Sequence, residues 1–192
     1  MPRHSVIYGT GVLVALLCAL VLLRADLTED AVRQAIRLTA ATSFILLICA
    51  FSARPMFQLT HSSLAGSLLR NRRQIGISVA VSHSFHLLTI LLLVPVAFDG
   101  DASQLGSLAD LAPGLAVYVV LYVMAFTSNN YSQQLLGKGW KWFHTAGIYL
   151  LTLAFTGAYV GKALQFGGLD WLFSAAGLAA FIIRFAAWRR FR

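Results

Sequence analysis

Six long apolar segments are the feature that most constrains how this chain can fold. Each approaches the roughly 20 residues that an α-helix needs to cross the hydrocarbon core of a bilayer. Only 11% of the 192 residues are charged, against about 25% in soluble domains. Because backbone groups that face lipid must be hydrogen-bonded within their own segment, we predict an all-α integral membrane bundle of six helices. The segments cover about residues 5–23, 36–53, 75–97, 113–129, 143–165 and 169–187.

The lysines and arginines are divided unevenly between the two ends of these segments. Eleven of the 15 fall at one end, and the other four (Arg24, Arg33, Arg37 and Lys162) fall at the end that carries all seven acidic residues. The positive-inside rule therefore predicts that both termini are cytoplasmic. This topology, with attraction to anionic headgroups, accounts for the net charge of +8. We therefore do not predict nucleic-acid binding.

The connections between segments are short, so residues 1–192 are predicted to form a single transmembrane domain. The cytoplasmic connection 54–73 is mildly amphipathic, which is compatible with a position along the inner membrane interface. The chain has no glycine-rich phosphate-binding motif. Nucleotide chemistry would therefore have to come from another protein.

Two histidines lie deep inside the third apolar segment, which follows the basic run at 70–73. By helical rise, His83 is roughly 15 Å and His86 roughly 20 Å from Arg73. Their spacing of three residues puts them on similar faces of a helix. Two interpretations remain open: hydrogen bonding to Ser82, Ser84 or neighbouring helices, or a role as cofactor ligands.

A third histidine, His144, lies about one turn inside the fifth segment. Neutral imidazoles that face the centre of a helical bundle are the usual axial ligands of b-type haem. Haem propionates favour cations at the membrane edge, and Arg72, Arg73 and Lys141 are predicted to lie there. Membrane topology alone also explains most of these cations.

Together these segments resemble the ferric-reductase-like transmembrane domain, over roughly residues 36–165. Within that family they are most similar to the haem-binding membrane subunits of bacterial periplasmic methionine sulfoxide reductase systems. One matching block is the run RNRRQIGI at 70–77, leading to His86, and a looser match is SARP at 52–55. The other block is AFTS at 125–128 followed by LGK at 136–138 and WKWFH at 140–144.

The resemblance implies a multi-pass protein of the bacterial inner membrane that holds one or two b-type haems. It implies electron relay from quinol or a cytoplasmic flavin reductase to an acceptor, such as a periplasmic reductase subunit, without bond-making chemistry in this chain. Quinone and flavin stay open as further cofactors. By position, His86 matches the ligand of the third segment and His144 the inner ligand of the fifth. By charge, as described above, Arg72 and Arg73 are candidate partners of the propionates.

One departure from the family pattern affects the ligand set. The family usually has another histidine thirteen residues beyond the position of His144, and this chain has Gly157 there. His86 and His144 also differ in depth by about 15 Å, so they cannot bind the same iron. Met124 as a weak candidate, His83, water or no sixth ligand all remain open as partners. The missing histidine also motivates an alternative function, a haem-free membrane scaffold or small-molecule carrier derived from this family.

Overall fold

The computed structural model describes residues 5–24 and 26–191, and within them it contains α-helices and one short 3₁₀ segment, Ala102–Leu105. All the α-helices except the eight-residue α3 are long and apolar enough to cross a membrane. The prediction of an all-α, multi-pass membrane protein with six spanning helices is therefore confirmed. The helices are α1 Ser5–Arg24, α2 Glu29–Thr60, α3 Ser63–Arg70, α4 Arg72–Ala97, α5 Leu108–Phe126, α6 Asn130–Phe166 and α7 Asp170–Arg190.

Several helices begin earlier than their apolar segments because polar residues cap them. Thr28 caps α2, its hydroxyl accepting a hydrogen bond from the amide of Ala31 at 3.4 Å. A reciprocal capping box between Ser107 and Asp110 starts α5 five residues before the predicted boundary at 113. Hydropathy identifies the stretch of helix that lipid can cover, but it does not detect these polar extensions.

α6 has 37 residues and contains a bend at Gly137, where φ is 51° and ψ is −120°. Glycine adopts a positive φ at little cost. The bend therefore separates a first helical stretch at 130–136, predicted to be part of a connection, from the main helix that carries His144.

The first part of the connection 54–73 continues α2 to Thr60, the middle part forms α3, and its last two residues begin α4. In α3, Ala65 and Gly66 are buried and Leu64 is 67% exposed. α3 therefore has one buried and one exposed face, as expected of an amphipathic helix. Its position along the membrane interface stays a prediction.

α2 lies at the centre of the bundle and packs against α1, α4, α6 and α7. Its contact with α4 contains small hydroxyl residues, and the hydroxyl of Ser43 donates to that of Ser82 at 3.0 Å. Small side chains allow two membrane helices to approach closely. On another side, the ring of Phe44 contacts those of Tyr159 and Phe173 at centroid distances of 4.8 and 6.1 Å. These contacts fix α2 relative to the helices that carry the histidines.

One end of the bundle carries nine described cations, and we call it the basic end. Two further cations assigned to this end from the sequence, Arg3 and Arg192, lie outside the described residues, as does His4. The cytoplasmic location of this end stays a prediction. The nine cations are Arg54, Arg70, Arg72, Arg73, Lys138, Lys141, Arg184, Arg189 and Arg190.

Candidate functional site

The histidines within the helices lie at two depths of the bundle. His83 contacts the ring of Phe155 on α6, at 5.1 Å between ring centroids. Phe155 follows His144 by 11 residues on the same helix, which corresponds to about 16 Å along the axis. His83 and its neighbour His86 therefore lie about halfway along the bundle, and we call them the mid-bundle pair. His144 lies near the basic end.

His86 is held by α2 in one defined tautomer. Its Nδ1 lies 3.0 Å from the carbonyl oxygen of Ile36 and 3.1 Å from the hydroxyl of Thr39. A carbonyl oxygen can only accept, and the Thr39 hydroxyl hydrogen already points to the carbonyl of Ala35 at 2.8 Å. Nδ1 therefore carries the hydrogen, and Nε2 keeps its lone pair. Metal-bound histidines are typically oriented by such a second hydrogen bond.

His83 is the more deeply buried member of the pair, with 6% of its surface exposed. Its ring stacks on His86 at 4.8 Å and contacts Tyr118 on α5 at 4.6 Å. Among the described residues, its buried Nδ1 has no hydrogen-bond partner. Because His83 and His86 lie one turn apart on the same helix, they cannot bind opposite faces of one iron.

The sequence left open that the two histidines form hydrogen bonds to Ser82, to Ser84 or to neighbouring helices. In the described part of the chain, neither serine bonds to a histidine. The hydroxyl of Ser82 bonds to α2, and that of Ser84 bonds to the carbonyl of Ala80 and to the hydroxyl of Tyr122. His86 bonds to the neighbouring helix α2, as the hydrogen-bonding interpretation allowed. The pair is therefore oriented by helix packing.

His144 is oriented by Thr127, which directly follows α5, and by Trp140, which lies about one turn earlier on α6. Its Nε2 lies 2.9 Å from the hydroxyl of Thr127, and its ring stacks on Trp140 at 4.1 Å. The indole of Trp140 also donates to the carbonyl of Thr127 at 2.8 Å. Since the Thr127 hydroxyl donates to the carbonyl of Val123 at 2.6 Å, it accepts from His144 Nε2. An iron bound through Nε2 would have to replace this hydrogen bond.

A cavity of about 820 Å³ opens beside His144 at the basic end, and we call it the basic cavity. Its deeper wall is apolar and includes Leu47, Val79, Leu121 and Leu151. Its remaining wall includes six cations, and none of its lining residues is acidic. The cations are Arg54, Arg72, Arg73, Lys138, Lys141 and Arg184.

Two of these arginines bind backbone carbonyls of α2 close to Pro55. Pro55 lies inside α2 and has no amide hydrogen, so the carbonyl of Phe51, four residues earlier, lacks its helical partner. Arg184 of α7 donates to that carbonyl at 3.0 Å, and Arg72 of α4 donates to the carbonyl of Ala50 at 2.9 Å. The two guanidinium groups therefore tie three helices together at the cavity wall.

The other predicted site residues reach the same cavity. Arg73 lines it and donates to the side-chain oxygen of Asn130 at 2.8 Å. Met124 also lines it, with its sulfur against the backbone of α6 at Gly147. The structure thus brings Arg72, Arg73 and Met124 together with His144, and it separates all of them from the mid-bundle pair.

Gly157 lies at the depth of the mid-bundle pair but faces away from it. It follows Phe155 by two residues, which is about 200° around the helix. No heavy atom lies within 4 Å of the position that a Cβ would occupy there. A side chain at 157 would therefore not enter the contact between Phe155 and His83.

Sequence reasoning missed several residues that shape these sites. Thr39 and Thr127 contact the two histidines from other helices, and Tyr118 contacts His83. No local pattern marks them, because their partners are distant in sequence. Arg184 had an available signal, since Pro55 within an apolar segment predicts an unpaired carbonyl four residues earlier that a donor must satisfy.

Taken together, the fold and the site define a multi-pass helical membrane protein with histidines at two depths and a basic cavity at one end. Comparison with known proteins finds several relatives of this chain. Magnetosome protein MamZ of Magnetospirillum gryphiswaldense is 30% identical over 149 residues, which cover 77% of this chain and 22% of MamZ. The chain thus spans about a fifth of that protein's length.

Further relatives include proteins named protein-methionine-sulfoxide reductase heme-binding subunit MsrQ. The protein from Salmonella enteritidis is 27% identical over 170 residues, covering 86% of this chain and 81% of the relative. That from Salmonella newport is 26% identical over 168 residues, covering 85% and 81%. No family model matches the chain, so its membership of the ferric-reductase-like family stays a prediction. No solved structure matches it either.

Proposed function

We propose that this protein is a membrane b-type haem electron-transfer subunit. The observation that carries the proposal is the orientation of His86, whose Nδ1 lies 3.0 Å from the carbonyl oxygen of Ile36 on α2 and whose Nε2 is therefore available to bind iron. The likeness to the haem-binding subunit MsrQ over most of both chains supports it. Residues 1–192 would act as a single transmembrane domain of the bacterial inner membrane.

The residues present fit a b-type haem. No group of three or more histidine, cysteine or acidic side chains able to hold a bare metal ion occurs in residues 5–24 and 26–191. A haem needs only one or two axial side chains from the protein. His86 would supply one at mid-bundle depth and His144 one beside the basic cavity, whose volume of about 820 Å³ is in the range of small-molecule sites. When bound, haem b supplies reversible one-electron reduction of its iron.

The chain's own residues would orient the ligands and neutralise charge. Ile36 and Thr39 hold the ring of His86, while Trp140 holds that of His144. Around the cavity, Arg72 and Arg73 would pair with propionate carboxylates. The apolar wall would exclude water from the part of the cavity that holds the haem.

The ligand set makes the number of haems an experimental question. Met124 lines the cavity wall as His144 does and is a weak candidate for the partner ligand there, since its sulfur packs against Gly147. His83 has a buried nitrogen without a described partner but shares its helix with His86. We therefore propose one or two haems, with one at each depth when two are bound. Water or an open position would complete any site that lacks a second side chain.

We propose the electron donor and acceptor from the family resemblance and not from the geometry. The name of MsrQ describes a subunit of a protein-methionine-sulfoxide reductase. We propose that quinol or a cytoplasmic flavin reductase supplies electrons and that a periplasmic reductase subunit accepts them. In this role the chain would relay electrons and carry no bond-making site of its own.

The test is a reduced-minus-oxidised visible spectrum of the detergent-purified protein beside His86→Ala and His144→Ala. We expect a b-type spectrum whose intensity falls in one or both variants. His61→Asn is the matched control, because His61 ends α2 with φ 50°, a conformation that asparagine tolerates. A well-folded protein from haem-supplemented cells with no haem absorption would overturn the proposal. That result would favour the haem-free scaffold or carrier.

A further inference from the structure

The basic cavity concentrates positive charge without acidic residues to balance it. Six cations line it, and no aspartate or glutamate is among its lining residues. All seven acidic residues of the chain fall toward the opposite end of the helices. Charges of one sign in a partly buried cavity repel one another strongly. The cavity is therefore suited to a ligand that carries negative charge.

Half of the six cations already have partners within the protein. Arg72 and Arg184 donate to the carbonyls of α2, and Arg73 donates to Asn130. The other three are exposed and make no hydrogen bond or ion pair among those described in residues 5–24 and 26–191. These three, which we call the rim cations, are Arg54, Lys138 and Lys141.

The neighbours of the rim cations are of the kinds found where a helical bundle meets the membrane surface. Lys138 directly follows the bend at Gly137, and Trp142, 74% exposed, lies next to Lys141. Exposed tryptophans are typical of the headgroup region. Apolar side chains flank the same edge, since Leu69 lines the cavity and Leu136 is 50% exposed.

We propose that the rim of the basic cavity binds the headgroup of an anionic phospholipid. The phosphate lies among Arg54, Lys138 and Lys141, and the first part of the acyl chains lies against Leu69 and Leu136. Basic pockets between helices at a membrane surface bind anionic headgroups in this way. A free phosphate ion would use the cations but not the flanking apolar side chains, which favours the lipid.

This site does not depend on the haem proposal. A haem beside His144 would bring two propionates, which would balance two of the six positive charges of the cavity. The rim cations would still lack an anionic partner. If the protein holds no haem, the charge imbalance is larger and the same lipid site is expected.

The test measures lipid retention by native mass spectrometry after detergent washing of the purified protein. The probes are phosphatidylglycerol, phosphatidylcholine with the same acyl chains, and inorganic phosphate. The cavity variant combines Arg54→Gln, Lys138→Gln and Lys141→Gln. At about 1 kcal/mol for each cation near the surface, we expect phosphatidylglycerol binding to weaken about a hundredfold.

The control variant combines Arg70→Gln, Arg189→Gln and Arg190→Gln. It removes the same charge from the same end of the bundle, but none of its three positions lines the cavity. We expect its phosphatidylglycerol binding to stay close to that of the unmodified protein. If the cavity variant does not yield monodisperse protein, the Lys138→Gln/Lys141→Gln pair replaces it, with an expected weakening of about thirtyfold.

Three results would overturn the inference. They are equal weakening in the cavity and control variants, equal retention of phosphatidylglycerol and phosphatidylcholine, and displacement of the lipid by inorganic phosphate at matching concentration. Haem content is measured on the same samples. Specific retention of phosphatidylglycerol by haem-free protein would support the lipid site while contradicting the proposed function, so the two failures are distinguishable.

Discussion

Replacing Arg184 with methionine tests whether a side chain of α7 completes the hydrogen bonding of α2. The guanidinium donates to the carbonyl of Phe51 at 3.0 Å and to the hydroxyl of Tyr149 at 2.7 Å. It also lies 4.5 Å from the ring centroids of the same two residues. Methionine keeps the length and helix propensity of the side chain but removes all four interactions.

The expected cost follows from these contacts. A hydrogen bond from a charged group contributes about 1.5–3 kcal/mol, and each cation–π contact contributes about 0.5–1 kcal/mol at a partly exposed site. Because contributions at one side chain are not additive, we expect the free energy of unfolding to fall by about 3–5 kcal/mol. The measurement is reversible unfolding in detergent with increasing sodium dodecyl sulfate, followed by circular dichroism.

A double-mutant cycle with Pro55→Ala isolates the carbonyl of Phe51. Alanine at 55 restores an amide hydrogen that can bond to this carbonyl within α2. Arg184→Met should therefore cost about 1–2 kcal/mol less in the Pro55→Ala protein than in the unmodified one. This coupling between positions 184 and 55 depends on the carbonyl that Pro55 leaves unpaired. Loss of the Arg184 charge alone would destabilise both proteins equally.

Arg189→Met is the matched control, since it removes a cation five residues further along α7. We expect it to change the free energy of unfolding by less than about 0.5 kcal/mol, as at most surface positions. Two results would refute the reasoning: a similar loss for Arg184→Met and Arg189→Met, or no coupling between positions 184 and 55.

Two further predictions concern helix contacts and the orientation of His144. Gly177→Ala should lower the free energy of unfolding by about 1–3 kcal/mol, because its Cβ would overlap Thr156 of α6. Gly161→Ala, whose Cβ meets no atom within 4 Å, should be neutral or stabilising; equal effects in the same denaturant titration would contradict the packing argument. Thr127→Val should cost about 1–2 kcal/mol by leaving the Nε2 hydrogen of His144 without its partner. Thr127→Ser should recover most of that loss, and no difference between valine and serine would show that the hydroxyl is not used.

The spanning helices could be predicted because lipid imposes one simple requirement on them, a long apolar run with internally bonded backbone. The boundaries were less predictable, since α2 and α6 continue into polar sequence. The capping residues Thr28 and Ser107 mark two helix starts. These capping residues are visible in the sequence, but a hydropathy profile does not detect them.

For the site, the sequence could indicate depth but not direction. Helical rise correctly separates His144 from the mid-bundle pair, because rise depends only on residue count. Whether His86 bonds to α2, or whether Gly157 faces the pair, depends on how each helix is rotated and which helix lies beside it. Those rotations are set by contacts such as Phe44 with Tyr159, which join residues far apart in the chain.

The tie between Arg184 and Phe51 also has a consequence for biogenesis. The two residues are 133 positions apart, and α7 follows five other spanning helices in the order of synthesis. Until α7 leaves the insertion machinery, the carbonyl freed by Pro55 has neither its helical partner nor its arginine. The cavity wall is therefore complete only when the sixth spanning helix has been inserted, so the basic cavity forms last, with the end of membrane insertion.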